Sequence, residues 1–352
     1  MNSRYIKISN KKIGPGQPVF IIAEAGVNHN NQLDLALKLV DAAVYAGANA
    51  VKFQTFRAEQ VVTEAGVMAD YQKINIGKTE SQLDMLRKLE FMEDWYPKVI
   101  AYCKKNGIIF LSTPHGSFDS IDLLQNLEVP AFKFGSGDLT TLPILEYAAK
   151  FNKPIILGTG MATMAEIKEA IKTIKKAGNS KIVMLHCTTN YPCLLEEVNL
   201  RAMQTMMKEL DVLVGYSDHT IGSQVPVMAI TLGALVIEKH LTLDNDMEGP
   251  DHKTSSNPEV FKRMVDEVRK VEVILGSSVK KPLPGEVKLQ SVIRRSVVAV
   301  KDIKEGEKFS RKNVDLKRPG TGIQPKCYKE ILSKVATRAI PKDALLTEEM
   351  IG

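Results

Sequence analysis

Residues that could bind an anion are concentrated in the stretch AFKFGSGDL, residues 131–139. A short apolar run contains one lysine, Lys133, and then opens into Gly-Ser-Gly at 135–137, where the backbone can turn tightly and present N–H groups. The stretch ends on a carboxylate, Asp138. A cation beside a glycine-rich turn at a strand end is a common phosphate site in α/β enzymes. An ordinary strand followed by a Gly-Ser turn and an N-cap aspartate would have the same letters.

Other apolar runs of the chain also end in polar residues, which favours the functional interpretation. Taken alone, Glu24 could be an ion-pair partner of Lys52, Asp218 could serve only to orient its neighbour, and His186 is best interpreted as a core histidine. Charged residues at the ends of apolar strands are nevertheless costly to bury without partners or a ligand. One shared active site explains the whole set more simply: Glu24, Lys52 with Gln54, Ser112 with Thr113, Lys133 with Ser136 and Asp138, Thr159, His186, Ser217-Asp218-His219 and His240.

The residue types indicate a specific chemistry. Lys52 and Lys133, with nearby hydroxyls and glycine amides, would bind a small molecule that carries phosphate and carboxylate. His219 and His240 follow successive strand-like runs, so both imidazoles could bind one divalent ion and leave most of its positions to water and substrate. Such a sparse site suits Mn²⁺, with Mg²⁺ or Co²⁺ as alternatives. Two carboxylates, Glu24 and Asp138, remain for proton transfer or for binding a polyol.

A Schiff-base aldolase is the nearest alternative from the residues alone. It needs one lysine that is desolvated enough to lose its proton, and a neighbouring phosphate would have the opposite effect.

The elements that position these residues alternate regularly along the chain. Eight strand-like runs are each followed by a helix-like run, as where 19–26 leads to the helical pattern of 33–47. This alternation predicts a (β/α)8 TIM barrel, with polar strand ends collected on one rim. A doubly wound open sheet is only the second choice, because the Gly-x-Gly-x-x-Gly turn typical of such a sheet does not follow the first strand. The segment 63–90 is an insertion that we expect to pass over one end of the fold.

The chain divides into three parts on its pattern. Residues 1–276 form the predicted barrel, and 277–290 read as a linker, because prolines, a glycine and charges occur there without periodicity. Residues 291–352 alternate short β runs with Lys-Glu-Gly turns, which is typical of a small β-rich module. Its KRPGTG loop, 317–322, is the part of this module that most resembles a site.

Composition narrows the class of protein. The chain has 352 residues, 44% of them apolar and 25% charged, with a dispersed net charge of +6 that argues against nucleic acid as a partner. Its first residues lack the apolar core of a signal peptide and no stretch reaches membrane-spanning length, so we expect a cytoplasmic protein without a membrane partner. No two of the four cysteines have zinc-site spacing, and free thiols are expected: Cys103, Cys187, Cys193 and Cys327.

Several long motifs in order resemble one enzyme family. IIAEAGVNHN, AVKFQTF, FLSTPHG, FKFGSGDLTTLPILE, HCTTNYP, GYSDHT, EKHLTLD and GPDHK are similar to the motifs of the sialic acid (N-acetylneuraminate) synthase family, which includes legionaminic acid synthases. The resemblance runs from about residue 19 to the end, because the tail with KRPGTGI looks like that family's C-terminal antifreeze-like (SAF) domain. It implies a TIM barrel followed by a SAF domain.

The resemblance also implies a reaction. Phosphoenolpyruvate would condense with an open-chain N-acylated mannosamine, with N-acetylmannosamine as the first choice, to give a nine-carbon 2-keto acid and phosphate. C3 of phosphoenolpyruvate attacks the sugar aldehyde, water adds at C2, and phosphate leaves by C–O cleavage. The family's tail crosses to the partner subunit, so we expect a homodimer with an exchanged C-terminal module.

Site roles are carried over position by position. Lys52, Thr113, Lys133, Ser136 and Gly137 would hold phosphoenolpyruvate, and the lysines would stabilise charge on the intermediate. His219 and His240 would bind the metal ion that polarises the aldehyde. Glu24 and Asp138 are candidates for the proton transfers, and Ser217 joins the substrate-binding set from its place on the rim. The amino-sugar contacts would be Gln54, Tyr191 and Asp251, with Arg318 acting in the other subunit's site.

The sequence departs from the family pattern on the sugar side. Asp138 stands where characterised sialic acid synthases have glutamate, PHG at 114–116 replaces a Pro-Phe pair, and CLLEE follows Tyr191-Pro192 in place of a proline-rich turn. The acceptor therefore stays open between N-acetylmannosamine and the 6-deoxy diacetamido sugar of legionaminic acid synthesis. A synthase that accepts a sugar phosphate would need further cations, and only Lys317 and Arg318 are available. The antifreeze-like tail would by itself suggest an ice-binding protein, but a tail rich in lysine and glutamate fits that function poorly.

Overall fold

The computed structural model describes residues 5–77, 80–115 and 117–352. The chain divides into two compact units, Met1–Gly276 and Ser277–Gly352. The boundary falls at the end of a long helix, where the repeating strand–helix pattern of the sequence also stops. All four cysteines are free thiols.

The first unit is built on eight parallel strands. A short antiparallel hairpin, β1 (Ile6–Ile8) and β2 (Lys11–Ile13), precedes them. The sheet order is β5-β4-β3-β10-β9-β8-β7-β6, and contacts between β5 and β6 bring it round to a nearly closed barrel. The predicted TIM barrel is confirmed, with these strands: β3 (Phe20–Gly26), β4 (Ala50–Thr55), β5 (Ile109–Pro114), β6 (Phe132–Phe134), β7 (Ile155–Gly158), β8 (Ile182–His186), β9 (Leu213–Asp218) and β10 (Val236–His240).

Helices connect the strands on the outside of the barrel. Their ends follow ordinary capping chemistry: Gly47 closes the first helix in the left-handed conformation with a φ of 80°, and Thr163 and Glu166 form a capping box. The helices of this unit are α1 (Leu33–Ala46), α2 (Ala58–Val61), α3 (Asp70–Ile76), α4 (Gln82–Arg87), α5 (Trp95–Lys105), α6 (Phe118–Asn126), α7 (Leu142–Ala149), α8 (Met164–Lys176), α9 (Leu200–Glu209), α10 (Gln224–Thr231) and α11 (Pro258–Leu275).

Alternation along the strands separates two apolar layers. One set of side chains packs against the helices, while the other set, which includes Phe20, Ala50 and Val236, fills the barrel interior near the starts of the strands. Ile6, Ile8 and Ile13 of the N-terminal hairpin belong to this interior cluster, so the hairpin closes that end of the barrel. Side chains further along the same strands are polar and lie at the opposite rim.

The segment between β4 and α5, which contains the predicted insertion 63–90, supplies three short helices, α2 to α4. Residues from this segment pack with Val27 and Phe56 in a separate apolar cluster: Val61, Met68, Ile76, Met85, Leu86 and Leu89. Asn75 Nδ2 donates a hydrogen bond of 2.6 Å to the carbonyl of Pro250, which ties α3 to the loop after β10. The insertion thus forms part of the rim on the carboxyl side of the strands, as the sequence predicts.

The second unit is small and β-rich. Strands β11 (Ser296–Ala299) and β12 (Val314–Lys317) pair antiparallel, and isolated bridges such as Ile303 with Ile340 join the remaining segments. Its core contains Val297, Phe309 and Leu346, all 1% exposed or less. The short helix α13 (Tyr328–Ile331) closes one side of this core.

The segment predicted as a linker, 277–290, contains regular structure. Helix α12 (Pro284–Ile293) occupies its second half and continues three residues beyond it. Pro284 stands at the first helical position, where a missing N–H costs nothing, and the Glu286 carboxylate accepts from Leu283 N at 2.8 Å. Gly320 of the KRPGTG loop packs so closely on α12 that a Cβ would lie 2.6 Å from Arg294 Cβ.

Among the helices that the structure describes, none has both the length and the apolar character needed to cross a membrane.

Candidate active site

The carboxyl ends of the barrel strands surround a cavity of about 270 Å³. Its lining comes from every barrel strand or the loop after it, together with the insertion. Most of the sequence-predicted site residues meet here: Glu24, Lys52, Gln54, Thr113, Lys133, Ser136, Gly137, Tyr191, Ser217, His219, His240 and Asp251. The exceptions are Asp138, Arg318 and four residues of the predicted rim: Ser112, Thr159, His186 and Asp218.

Two buried lysines form the charged base of the cavity. Lys52 Nζ forms an ion pair with Glu24 and donates to Thr113 Oγ1 at 2.9 Å. Lys133 Nζ lies 3.1 Å from Glu238 Oε1, and Lys52 Nζ lies 4.0 Å from the same oxygen. All four charged side chains are 6% exposed or less. Glu238 therefore joins the two lysines into one network.

The two carboxyl groups of this network, Glu24 and Glu238, have pKa values shifted in opposite directions. Burial raises the pKa of Glu24 to about 7, because desolvation outweighs the attraction of Lys52. Burial acts on Glu238 in the same direction, but Lys133 and Lys52 outweigh it and hold the pKa of Glu238 below its ordinary value. Near neutral pH, Glu238 is thus the fixed anion and Glu24 the group that exchanges a proton.

A narrow turn beside Lys133 lies where the sequence predicts an anion cradle. A short 3-10 turn, Ser136–Asp138, begins directly after β6, and the first N–H groups of such a turn have no acceptor within it. Ser136 Oγ accepts a 2.9 Å hydrogen bond from the Gly160 N–H. A Cβ on Gly158 would lie 2.9 Å from that oxygen, so this close approach needs a glycine. Cys187 Sγ lies 3.3 Å from Ser136 Oγ on the other side.

The two predicted metal ligands face one point. The Tyr191 hydroxyl lies 2.7 Å from His219 Nε2 and 3.1 Å from His240 Nε2. His219 Nδ1 is 2.5 Å from the carbonyl oxygen of Thr188. Because a carbonyl only accepts, Nδ1 carries the proton and Nε2 keeps the lone pair that a metal ion needs.

These histidines fit a divalent ion held by few protein ligands. Burial lowers the pKa of His219 to about 4 and also lowers that of His240, so both imidazoles are neutral near pH 7. Among the described residues, no group of three or more His, Cys, Asp or Glu side chains is arranged to hold a metal ion. A two-histidine site that leaves other positions to water and substrate matches this donor set.

Asp251 adds a carboxyl group close to His240. Its Oδ2 lies 3.9 Å from His240 Nδ1, and burial raises the pKa of Asp251 to about 6. Tyr71 of α3 stacks on Tyr191 with ring centroids 5.1 Å apart. The predicted sugar-contact residues Tyr191 and Asp251 therefore lie on the histidine side of the cavity, under the insertion.

Asp138 lies behind the cavity wall. The residue is 8% exposed, and its Oδ2 is 4.0 Å from Nδ1 of His115, which does line the cavity. Neither of these two buried atoms has a hydrogen-bond partner. The gap is too long for a direct hydrogen bond. His115 is the histidine of the PHG departure, so two of the sequence departures meet here.

The remaining rim residues have structural partners. His186 Nε2 lies 2.9 Å from the Val198 carbonyl, in agreement with its interpretation as a core histidine. Thr159 Oγ1 donates to Leu185 O at 2.9 Å, and Ser112 Oγ bonds to Thr55 Oγ1 at 2.7 Å. Arg318 lies in the second unit, directly after β12, and its action in another subunit's site stays a prediction.

Sequence reasoning missed Glu238, His115 and Cys187 as cavity residues. Glu238 could have been found, because it precedes His240 by two positions and so shares its face of β10. Cys187 follows β8 on the face of Leu185 by the same rule. His115 follows β5 by one residue and lies two positions after Thr113, so the same rule could have found it.

Comparison with known proteins agrees with this geometry. Residues 39–280 match the NeuB family, and residues 294–352 match the SAF domain. The chain belongs to the NeuB family. The two matched regions correspond closely to the two compact units, and the predicted family resemblance is confirmed, as is the SAF domain after the barrel.

Named relatives are similar over almost their full length. The chain is 46% identical to an N,N'-diacetyllegionaminic acid synthase of Campylobacter jejuni, covering 93% of this chain and 98% of the relative. It is 44% identical to an enzyme of the same name from Legionella pneumophila, covering 90% and 92%. A crystal structure of N-acetylneuraminic acid synthetase from Leptospira borgpetersenii, in complex with citrate, has a TM-score of 0.72 and 32% identity over 81% of this chain and 95% of that one.

Proposed function

We propose that this protein condenses phosphoenolpyruvate with an open-chain N-acylated amino sugar and water, giving a nonulosonic acid and phosphate. The observation that carries the proposal is the pairing of a two-lysine anion site with a two-histidine site in one cavity of a NeuB-family barrel. The first suits a small phosphorylated carboxylate and the second suits an aldehyde acceptor. The named relatives and the Leptospira synthetase support the same reaction class.

Phosphoenolpyruvate binds between the lysines and the glycine-rich turn. Lys133 and Lys52 attract the phosphate and carboxylate, while the Ser136 and Gly137 N–H groups donate to phosphate oxygens. Thr113 Oγ1, already bonded to Lys52, fixes the ammonium direction.

The reaction then proceeds in three bond changes. C3 of phosphoenolpyruvate forms a bond to the aldehyde carbon, water adds at C2, and the C2–O bond to phosphate breaks, leaving the 2-keto group. A divalent ion at His219 and His240, Mn²⁺ in our proposal, would supply Lewis-acid polarisation of the aldehyde oxygen. Glu24 takes one proton from the attacking water, the former aldehyde oxygen gains a proton and becomes a hydroxyl group, and the second proton of the water is lost as the C2 hydroxyl becomes the keto group. The two lysines stabilise the negative charge on the departing phosphate.

The cavity lining favours an acceptor that carries methyl groups. Phe56, Val61, Met85, Leu86 and Leu89 form an apolar wall contributed largely by the insertion. A 2,4-diacetamido-2,4,6-trideoxymannose presents two acetyl methyls and a C6 methyl, whereas N-acetylmannosamine presents one methyl and a hydroxymethyl group. Burying methyl groups against this wall is favourable, and the two relatives named legionaminic acid synthases point the same way.

The diacetamido sugar is therefore the acceptor that we propose first, and N-acetylmannosamine is the second candidate. His115, which lines the cavity, stands at one of the sequence departures on the sugar side.

The lysine environment argues against a Schiff-base aldolase. Burial opposes the charge on Lys133, but Glu238 and Glu24 outweigh it and raise the pKa of this lysine. A Schiff-base lysine needs the opposite shift, because only the neutral amine is nucleophilic.

Phosphate release tests the function directly. The purified protein is incubated with phosphoenolpyruvate and Mn²⁺, with 2,4-diacetamido-2,4,6-trideoxymannose and N-acetylmannosamine in parallel reactions. We expect phosphate release with either sugar, faster with the diacetamido sugar, and loss of activity after chelation that added Mn²⁺ reverses.

The outcomes separate the alternatives. Faster release with N-acetylmannosamine would reverse the proposed acceptor preference and leave the reaction class intact. No release with either sugar, together with borohydride trapping of pyruvate on Lys52 or Lys133, would replace the proposal with the aldolase.

A further inference from the structure

A buried ion pair outside the cavity joins strands β9 and β10. Asp218 and Lys239 are opposite one another in the parallel register, and Lys239 Nζ bonds to the Asp218 carboxylate. Both side chains are 2% exposed or less. Neither lines the cavity, because Lys239 alternates with Glu238 and His240 and so points to the other face of β10. The pair therefore lies in the layer between strands and helices.

The loop after β9 is bound to this pair by further hydrogen bonds. Thr220 donates to Asp218 Oδ1 from both its N–H, at 3.2 Å, and its hydroxyl, at 2.9 Å. Lys239 Nζ donates to the Thr220 carbonyl at 2.6 Å, and the Tyr216 hydroxyl donates to Asp218 Oδ1 at 3.1 Å. These contacts fix the backbone on both sides of residue 219.

The position of this network relates it to both histidines. Asp218 immediately precedes His219, and Lys239 immediately precedes His240. The network thus holds the two backbone positions from which the imidazoles reach into the cavity. A metal site of only two protein ligands has no third side chain to correct an error in their separation, so its geometry depends on the backbone that carries them.

We propose that Asp218, Thr220 and Lys239 form a positioning clamp that sets the distance between the two histidine ligands and thereby the affinity for the divalent ion. These are positioning residues, which touch neither substrate nor metal. The inference rests on the metal site of the proposed function. A purely structural ion pair would change the stability of the fold and leave metal affinity in the folded protein unaltered.

The test is a direct measurement of Mn²⁺ binding, from the free Mn²⁺ signal in electron paramagnetic resonance, on the full-length protein. The double variant Asp218→Asn/Lys239→Met removes both charges while preserving side-chain size, so no unpaired charge is left buried. We expect its Kd for Mn²⁺ to rise about tenfold or more, the usual effect of losing outer-sphere partners. The KM for phosphoenolpyruvate at saturating Mn²⁺ should stay within about twofold of the wild type.

A matched control removes another partly buried pair of the barrel. Arg269 and Glu272 form an ion pair at 2.7 Å that bonds to the Val19 backbone before β3, at the opposite end from the histidines. The double variant Arg269→Met/Glu272→Gln should lower the melting temperature and leave the Kd for Mn²⁺ unchanged. Should the Asp218/Lys239 variant fail to fold, Thr220→Val, which deletes one hydroxyl bond to Asp218, replaces it and should raise the Kd severalfold.

Each remaining outcome is decisive. A folded clamp variant with wild-type Mn²⁺ affinity overturns the inference and leaves the proposed function standing. A wild-type protein that binds neither Mn²⁺, Mg²⁺ nor Co²⁺ removes the metal from the proposed function and the clamp with it. Wild-type binding without phosphate release refutes the reaction, while a weakened clamp variant still supports the positioning role.

Discussion

The protonation state of Glu24 depends strongly on its surroundings. The side chain faces Lys52 on β4, Lys133 on β6 and Glu238 on β10, and Gln54 Nε2 lies 3.5 Å from its Oε1. Burial raises the pKa of Glu24 to about 7, so a change near neutral pH converts it between an acid and a base. A carboxyl group is protonated below its pKa and can accept a proton only above it.

We therefore predict that kcat/KM for phosphoenolpyruvate falls as the pH drops through about 7, because Glu24 must be ionised to take the proton from water. Glu24→Gln should lose this limb and reduce kcat by about 10²-fold or more. The measurement is a pH–rate profile of both proteins from about pH 5.5 to about pH 8.5, a range that brackets this midpoint.

Asp251→Asn is the matched control for this experiment. Burial raises the pKa of Asp251 to about 6, so it is the other carboxyl group of the cavity that titrates near this range. If the limb persists in Glu24→Gln and disappears in Asp251→Asn, the proton transfer belongs to the histidine side of the cavity and not to Glu24.

The sequence is most informative at single positions where strand alternation applies. Lys52 and Gln54 alternate on one strand, and both line the cavity. The same rule finds Glu238 from His240. Only the three-dimensional structure shows that Glu238 lies near both Lys133 and Lys52. Asp138 shows the limit: its placement behind His115 depends on the path of two loops, which residue spacing does not specify.

At the scale of elements, the N-terminal hairpin is a part of the first unit that the sequence pattern does not predict. Its strands IKI and KKI are three residues each and half of their residues are charged, so no periodicity is visible. Their isoleucines nevertheless fill the barrel interior at the end away from the cavity. Tertiary packing, and not local propensity, determines this hairpin.

We predict that Ile8→Ala destabilises the protein by about 2–5 kcal/mol, because it opens a cavity among side chains of the barrel interior. Ile8 is 0% exposed. Activity of the folded variant at saturating substrates should be unchanged, since the hairpin lies opposite the active site. Urea unfolding followed by circular dichroism gives the measurement.

The neighbouring Lys7→Ala is the control, because Lys7 is exposed on the same strand. Its unfolding midpoint should match that of the wild type. An Ile8→Ala midpoint equal to that of Lys7→Ala would show that the hairpin contributes no packing energy to the barrel.

Helix α12 shows a second limit at this scale. Its sequence PGEVKLQSVI carries both proline and glycine, which favour a loop interpretation. Both residues stand in the first turn, where proline is compatible with a helix and Glu286 completes the cap. Eight barrel strands are predictable because each repeats the same pattern, whereas α12 occurs once.

At the scale of the whole molecule, the two units raise the question of where the SAF unit acts. Arg318 is the residue of the KRPGTG loop assigned to sugar binding, and the family resemblance predicts that it serves the partner's barrel in a homodimer. The loop is well supported within its own unit: Ser296 Oγ donates to Pro319 O at 2.7 Å and accepts from Gly322 N at 2.8 Å. A rigid loop can present a guanidinium in a fixed direction to a second chain.

Subunit complementation tests this arrangement. We predict that Arg318→Ala and Lys133→Met are each nearly inactive and that co-expression restores about a quarter of wild-type activity, because random pairing makes half of the dimers mixed and each mixed dimer has one intact site. Phosphate release per dimer gives the measurement. If Arg318 serves its own barrel, every site in the mixture lacks one of the two residues and no activity returns.

A second mixture of variants is the negative control for this experiment. Lys52→Met and Lys133→Met both lie in the barrel unit, so every site in a mixed dimer of these variants lacks one lysine, and co-expression should restore nothing. Recovery in this control would indicate exchange within the barrel itself and refute the predicted crossing of the tail. Recovery confined to the Arg318 mixture requires that one chain's SAF unit completes the other chain's active site, since no other pairing yields an intact set of residues.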